Sequence, residues 1–315
     1  MKQIKNKKDY LIATILITVV VACMTGSAEG LVEREIIFPE IAALATGMIL
    51  TPHKPWKVNG PRIIFFITLC AVCGMIIVQY VHLPLLLQIL LAYAVGQFIL
   101  GISGTSLGPM ISAIVLPVLL QSAQIVYPVS AFLLCLMIVL LRKVMEAAGF
   151  REPDLYEPLP PGGRQVWIKL GKRLLLVLLF GLICIPAGWR FCIAPPLLVA
   201  FQEFTDPACP ARRKPVRAVL LLGFMAMIGS YSRILLCREL GLPVTAAAVV
   251  TMLFLSAAYA VTGMFLPPAG AMGILPMLVP EKILFLFPLQ VLTGSAVLMA
   301  MALLFFRAGK TENRS

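Results

Sequence analysis

The sequence predicts an all-α, polytopic integral membrane protein built as two parallel repeats of about six apolar segments each, some short or broken. Three observations carry that prediction. Of 315 residues, 60% are apolar and only 13% charged, and the mean hydropathy is +0.98. That is more apolar surface than a soluble core of this size can hide. Apolar runs recur along the whole chain between short polar or Pro/Gly breaks. Marks in the first half also return in the second at offsets of 155 to 160: Pro52 with Pro207, Arg62 with Arg217, Gly74 with Gly229, Leu83-Pro84 with Leu242-Pro243, Gly104 with Gly263, and Tyr127-Pro128 with Phe287-Pro288.

The first run, Tyr10–Met24, follows Lys2, Lys5, Lys7 and Lys8 and has the form of a signal peptide, with Val20-Val21-Ala22-Cys23 fitting a lipoprotein cleavage box. The second half opens with an equivalent run, Leu174–Trp189, also led by bases (Lys169, Lys172, Arg173), so the first span is expected to be retained. Further runs follow at Phe38–Leu50, Ile63–Val81, Leu83–Ile102, Pro109–Leu120 and Ile125–Leu141. The pattern returns at Ile193–Phe201, Ala218–Leu236, Leu242–Thr262, Met264–Val279 and Ile283–Phe306. The expected organisation is a first membrane repeat at 1–142, a cytoplasmic linker at 143–173 and a second membrane repeat at 174–315.

Several runs are shorter than the roughly 20 residues that cross the hydrocarbon, so each is either a short span or a re-entrant hairpin. Charge separates these readings. With twelve crossings and a cytoplasmic N-terminus, 21 of the 26 Lys and Arg fall inside, leaving Arg34, Arg190, Arg233, Arg238 and Lys282 outside; re-entrant second and fifth segments would reduce the split to 16 against 10. The positive-inside rule favours twelve crossings with both termini cytoplasmic, in a bacterial inner membrane. An even count per half makes the repeats parallel rather than inverted.

The net charge of +12 is absorbed by this topology, and no basic block with interleaved aromatics points to nucleic acid. Eight cysteines lie mostly within apolar runs and read as packing residues; Cys70 and Cys73, though spaced C-x-x-C, sit inside a predicted helix. No metal-ligand cluster, P-loop or dinucleotide fingerprint is present, so no cofactor is expected. Gly101-Ile102-Ser103-Gly104 matches the G-x-S-G of rhomboid-type proteases, but His53 and His82 both precede the serine and fall in loops on opposite sides. A nucleophile needs a base within reach, so an enzyme is not expected.

Two stretches interrupt the apolar pattern, Gly104–Pro117 and Gly263–Pro280. A bilayer supplies no water to a broken backbone, so such breaks are tolerated only where buried in protein or lining a cavity. Pro267 and Pro268 suit a helix start, after which the amides of Ala269, Gly270 and Ala271 are expected to point out of the helix end and attract an anion. Gly104, Thr105, Ser106, Gly108 and Pro109 form the matching set in the first half. Close helix packing by the same small residues is the competing reading. Glu40 and Glu203, in corresponding segments, are candidates for coupling or gating. Arg62 and Arg217, at the starts of equivalent spans, read as interfacial anchors or as gating residues.

The stretch PPAGAMGILPMLVP followed by FPLQVLTGS resembles the HPP family of integral membrane proteins, whose signature is His-Pro-Pro continuing Ala-Gly-Ala. The match runs residue by residue from Pro267 to Ala271, with Leu266 where the family has histidine. FPEIAALATGMILTPHKPWKVNGPR is similar to that family's early segment. Some members in photosynthetic organisms are implicated in nitrite transport. Six short spans per half, with an Arg opening the third, also resemble the fusaric-acid-resistance and aromatic-acid-exporter proteins, although those carry a larger cytoplasmic domain than the 142–173 linker. Both resemblances imply movement of anions.

The expected function is therefore a membrane transporter or channel for a small anion or organic acid, with its site between the repeats. The alternative is a non-transporting membrane scaffold or sensor component. Expected partners are the lipid bilayer and a small anionic solute, and a homo-oligomer is compatible with the sequence.

Overall fold

The computed structural model describes residues 7–51, 53–151, 153, 156–160 and 162–306. Lys2, Lys5 and Pro52 lie outside them. Among the described residues the chain is all helical, with twelve α-helices and no strand. The first half holds α1 (Lys7–Gly30), α2 (Glu40–Ala45, continued by a π turn at Thr46–Leu50), α3 (Gly60–Tyr80), α4 (Leu85–Ile102), α5 (Pro109–Leu120) and α6 (Val126–Ala147). The second holds α7 (Arg164–Cys184), α8 (Pro195–Phe204), α9 (Pro215–Ser232, continued by a π turn at Arg233–Glu239), α10 (Val244–Thr262), α11 (Pro267–Ile274, continued by a 3-10 turn at Leu275–Met277) and α12 (Phe287–Phe305). The order of long and short elements is the same in both halves.

Among the described residues, seven helices are long and apolar enough to cross a membrane: α1, α3, α4, α6, α9 with its π turn, α10 and α12. Helix α7 has the length, 21 residues, but spends its first turns on Arg164, Lys169, Lys172 and Arg173. The long helices carry large apolar side chains outward, for example Leu11, Ile15 and Val19 on α1 and Leu175, Leu179 and Leu182 on α7. Such a continuous apolar exterior fits lipid rather than water.

The four short helices are the interior. All of α2 and α11 is buried, as are eleven of the twelve residues of α5 and eight of the ten of α8. At 1.5 Å per residue each short element reaches only about 15–18 Å, roughly half a hydrocarbon core. Each nonetheless runs alongside a long helix instead of turning back. Phe38, just before α2, meets Tyr127 at the start of α6 edge to face with ring centroids 5.5 Å apart, and the Met48 carbonyl accepts a 2.8 Å bond from Arg142 far along the same helix. Likewise Phe191, just before α8, meets Phe287 at the start of α12, and Arg212 bridges the Phe204 carbonyl (2.8 Å) to that of Ala302 near its end (3.4 Å).

Ending inside the molecule leaves helix carbonyls without partners, and polar side chains satisfy them. Arg142 and Arg151 bond Met48 O and Ile49 O after α2, the second at 2.6 Å. Gln121 bonds Val118 O at 2.7 Å after α5. Arg212 serves α8, and Arg233, buried at 5% exposure, donates to Pro276 O and Val279 O after α11. Cationic groups at these ends also oppose the negative end of each helix dipole.

The halves interlock rather than sit side by side. Helix α1 packs on α10 and α7 on α4; α2 packs on α11 and α8 on α5. One continuous apolar core runs through both. The described residues of the two halves, within 7–142 and 174–306, therefore share their interior.

Candidate functional site

The first turns of α2, α5, α8 and α11 meet at the centre. Each gives one pair of residues, three apart and so on one helix face, to a single cavity: Glu40 and Ala43, Pro109 and Ser112, Pro196 and Val199, Pro268 and Ala271. All eight are buried. The pairs correspond between halves, at an offset of 156 for α2 with α8 and 159 for α5 with α11. The cavity has a volume of about 10 Å³, room for about one water.

The polar residues that line it come from the first half alone. Glu40 is 1% exposed; Ser112 Oγ donates to its Oε1, while Oε2 has no hydrogen-bond partner. At the equivalent positions the second half has Pro196 and Ala271. Four residues, or about 6 Å, further along α8 from Val199 lies the half-buried Glu203, whose Oε1 accepts from Trp56 Nε1 at 3.4 Å beside Gly108.

Of the residues singled out in the sequence, Pro109, Pro268, Ala271 and Glu40 line this cavity. Gly108 lies just below it, where an added β-carbon would come within 2.9 Å of Val199. Pro267 opens α11, and Ala269 and Gly270 pack within it. Gly270 faces the backbone of α2, 3.1 Å from Ala42 O to a built β-carbon, so its small size permits that packing. The Ala269 amide, expected to be free for an anion, donates to Leu266 O at 2.9 Å. The first turns of the other short helices close in the same way, through Leu197 to Ala194 O (2.8 Å) and Ile111 to Gly108 O (3.0 Å).

The remaining candidates lie elsewhere. Gly104 and Gly263 adopt positive φ, 67° and 62°, just after the ends of α4 and α10, a conformation glycine takes without penalty. Their match therefore reflects helix termination. Thr105 Oγ1 pairs with Ser103 Oγ at 2.8 Å, and Ser106 Oγ accepts from the Lys57 amide at 2.9 Å. Tyr156 and Leu159 of the linker fold over this loop and bond Gly104 O at 2.7 and 2.8 Å. Arg62 lies over the Tyr156 ring, 4.7 Å from its centroid, and Arg217 is exposed in the first turn of α9.

Ser112, Ala43, Pro196 and Val199 were not anticipated. Ser112 had a legible signal, being the only hydroxyl in PMISAIVLPVLL and three residues after Pro109. Comparison with protein-family models, curated proteins and solved structures returned no match for this chain.

Proposed function

We propose that this membrane protein is a secondary transporter, not an enzyme, and that its solute passes through the centre of the four short helices as a small anion or organic acid. The observation that carries this reading is the cavity itself. It lies at the meeting point of four short helices, is lined by corresponding positions of the two halves, and is bordered by one carboxyl and one hydroxyl among apolar residues. A scaffold or sensor has no use for four broken helices that converge on a buried charge, which is costly to keep there.

The space for about one water fits an occluded state, and passage of nitrite or a carboxylate requires the short helices to part. The HPP-like residues Pro267–Ala271 are the start of α11, one of the four. The test is uptake of nitrite, nitrate and formate by proteoliposomes, with Val199→Cys in a background cleared of native cysteines. Uptake of at least one anion, together with block by a small thiol reagent at position 199, supports the transporter. No uptake of any of them by a folded preparation rejects it.

A further inference from the structure

We propose that Glu40 is the proton carrier of the central site: its carboxylate stands in for the transported anion, and an anion enters only after a proton from water has neutralised it. This rests on the transport reading above and adds its coupling. Glu40 borders the cavity, its side chain is 1% exposed, and its Oε2 is buried without a hydrogen-bond partner. An unsatisfied, desolvated charge is expensive, and such a group recruits a ligand or a proton.

The surroundings select the proton. The sequences of α2, α5, α8 and α11 contain no Lys, Arg or His, so no cation on them pairs with Glu40. Among the described residues, the titratable groups close enough to feel its charge are Tyr127 and Cys135 on α6, while Glu203 lies further along α8 and pairs with Trp56. The buried face of α1, from Ala13 to Ala28, has none, and α5 and α11 have none. A hard metal cation requires about six oxygen ligands, whereas the cavity offers one carboxylate and one hydroxyl. The first turns of α5, α8 and α11 point their positive ends inward, and Gln121, Arg212 and Arg233 occupy the opposite ends. That field favours one negative charge at the centre. A second anion beside an ionised Glu40 meets like-charge repulsion at contact distance, so the two alternate. Only an O–H bond forms and breaks: the proton is taken from water on one side and returned to water on the other.

Dicyclohexylcarbodiimide tests this without a known substrate, because it adds a protonated carboxyl across its C=N bond and prefers apolar sites. We expect a mass-spectrometric adduct at Glu40 whose yield rises several-fold from about pH 8 to about pH 5.5. In proteoliposomes holding a pH-sensitive dye, a nitrate gradient should move protons with wild type and with Glu40→Asp. With Glu40→Gln, the number of protons moved per nitrate taken up should fall about tenfold or more. An absent or pH-independent adduct overturns the proposal, as does Glu40→Gln with wild-type proton coupling. Lack of any anion flux in wild type would instead reject the transport reading, leaving the carbodiimide reaction to decide whether Glu40 takes a proton.

Discussion

Gly229 of α9 lies directly against the carbonyl of Gly273 in α11, and Gly74 of α3 stands in the same relation to the carbonyl of Ile114 in α5. The neighbouring contacts correspond as well, Pro276 beside Gly229 and Pro117 beside Gly74. A β-carbon built at either glycine overlaps the facing carbonyl oxygen. The third helix of each half thus holds the fifth at backbone distance, as small residues do between membrane helices.

Gly74→Ala and Gly229→Ala should therefore each destabilise the protein by about 1–3 kcal/mol, the usual cost of overpacking. The effect should appear as a lower melting temperature in detergent. Gly171→Ala, at a position with open space around it, is the control and should melt as wild type does. Equal melting of all three variants would show that the close approach is not required.

How far the sequence reveals this arrangement differs from residue to residue. Long apolar helices follow from composition and run length, because lipid imposes both. The Gly74 and Gly229 match was legible for the same reason: a backbone contact admits only glycine. The pairing of Gly104 with Gly263 was equally visible, yet its meaning was not. A glycine that ends a helix and one that approaches a ligand look alike in sequence, and the positive φ at both positions separates them. Of the free amides expected after Pro267-Pro268, that of Ala269 is closed by a tight first turn, which propensity alone does not specify. Glu40 stood out as an acid in an apolar run, whereas Ser112 acquires meaning only when α5 is laid against α2. Arg233 reads in sequence as an outside loop charge; its role in satisfying Pro276 and Val279 emerges only from where α11 stops.

The charge distribution makes a separate prediction about orientation. The linker meets the loop after α4, where Gly162 donates to Gly101 O at 3.1 Å and Leu159 to Gly104 O at 2.8 Å. If the basic side is cytoplasmic, residue 157 of this linker faces the cytoplasm. Glu157→Cys, in a background without native cysteines, should resist an impermeant maleimide in intact cells and react after permeabilisation. Labelling in intact cells would invert the topology.

Ser112 and Ala271 occupy equivalent places on α5 and α11 at the cavity, and only the first carries a hydroxyl. Ser112 Oγ donates to Glu40 Oε1 and so favours the ionised carboxyl over the neutral one. Removing it in Ser112→Ala should let Glu40 hold its proton to higher pH. A hydrogen bond to a charged group is worth about 1.5–3 kcal/mol, so the midpoint of carbodiimide labelling should rise by about one to two pH units. Ala271→Ser should act in the opposite sense, because it adds a second hydroxyl donor to the cavity that Glu40 borders, and the midpoint should fall. The pair also guards against a trivial explanation. Loss of packing would raise reagent access in both variants and increase labelling at every pH without moving the midpoint. Midpoints that stay with wild type in both variants would show that the hydroxyl does not govern the charge on Glu40.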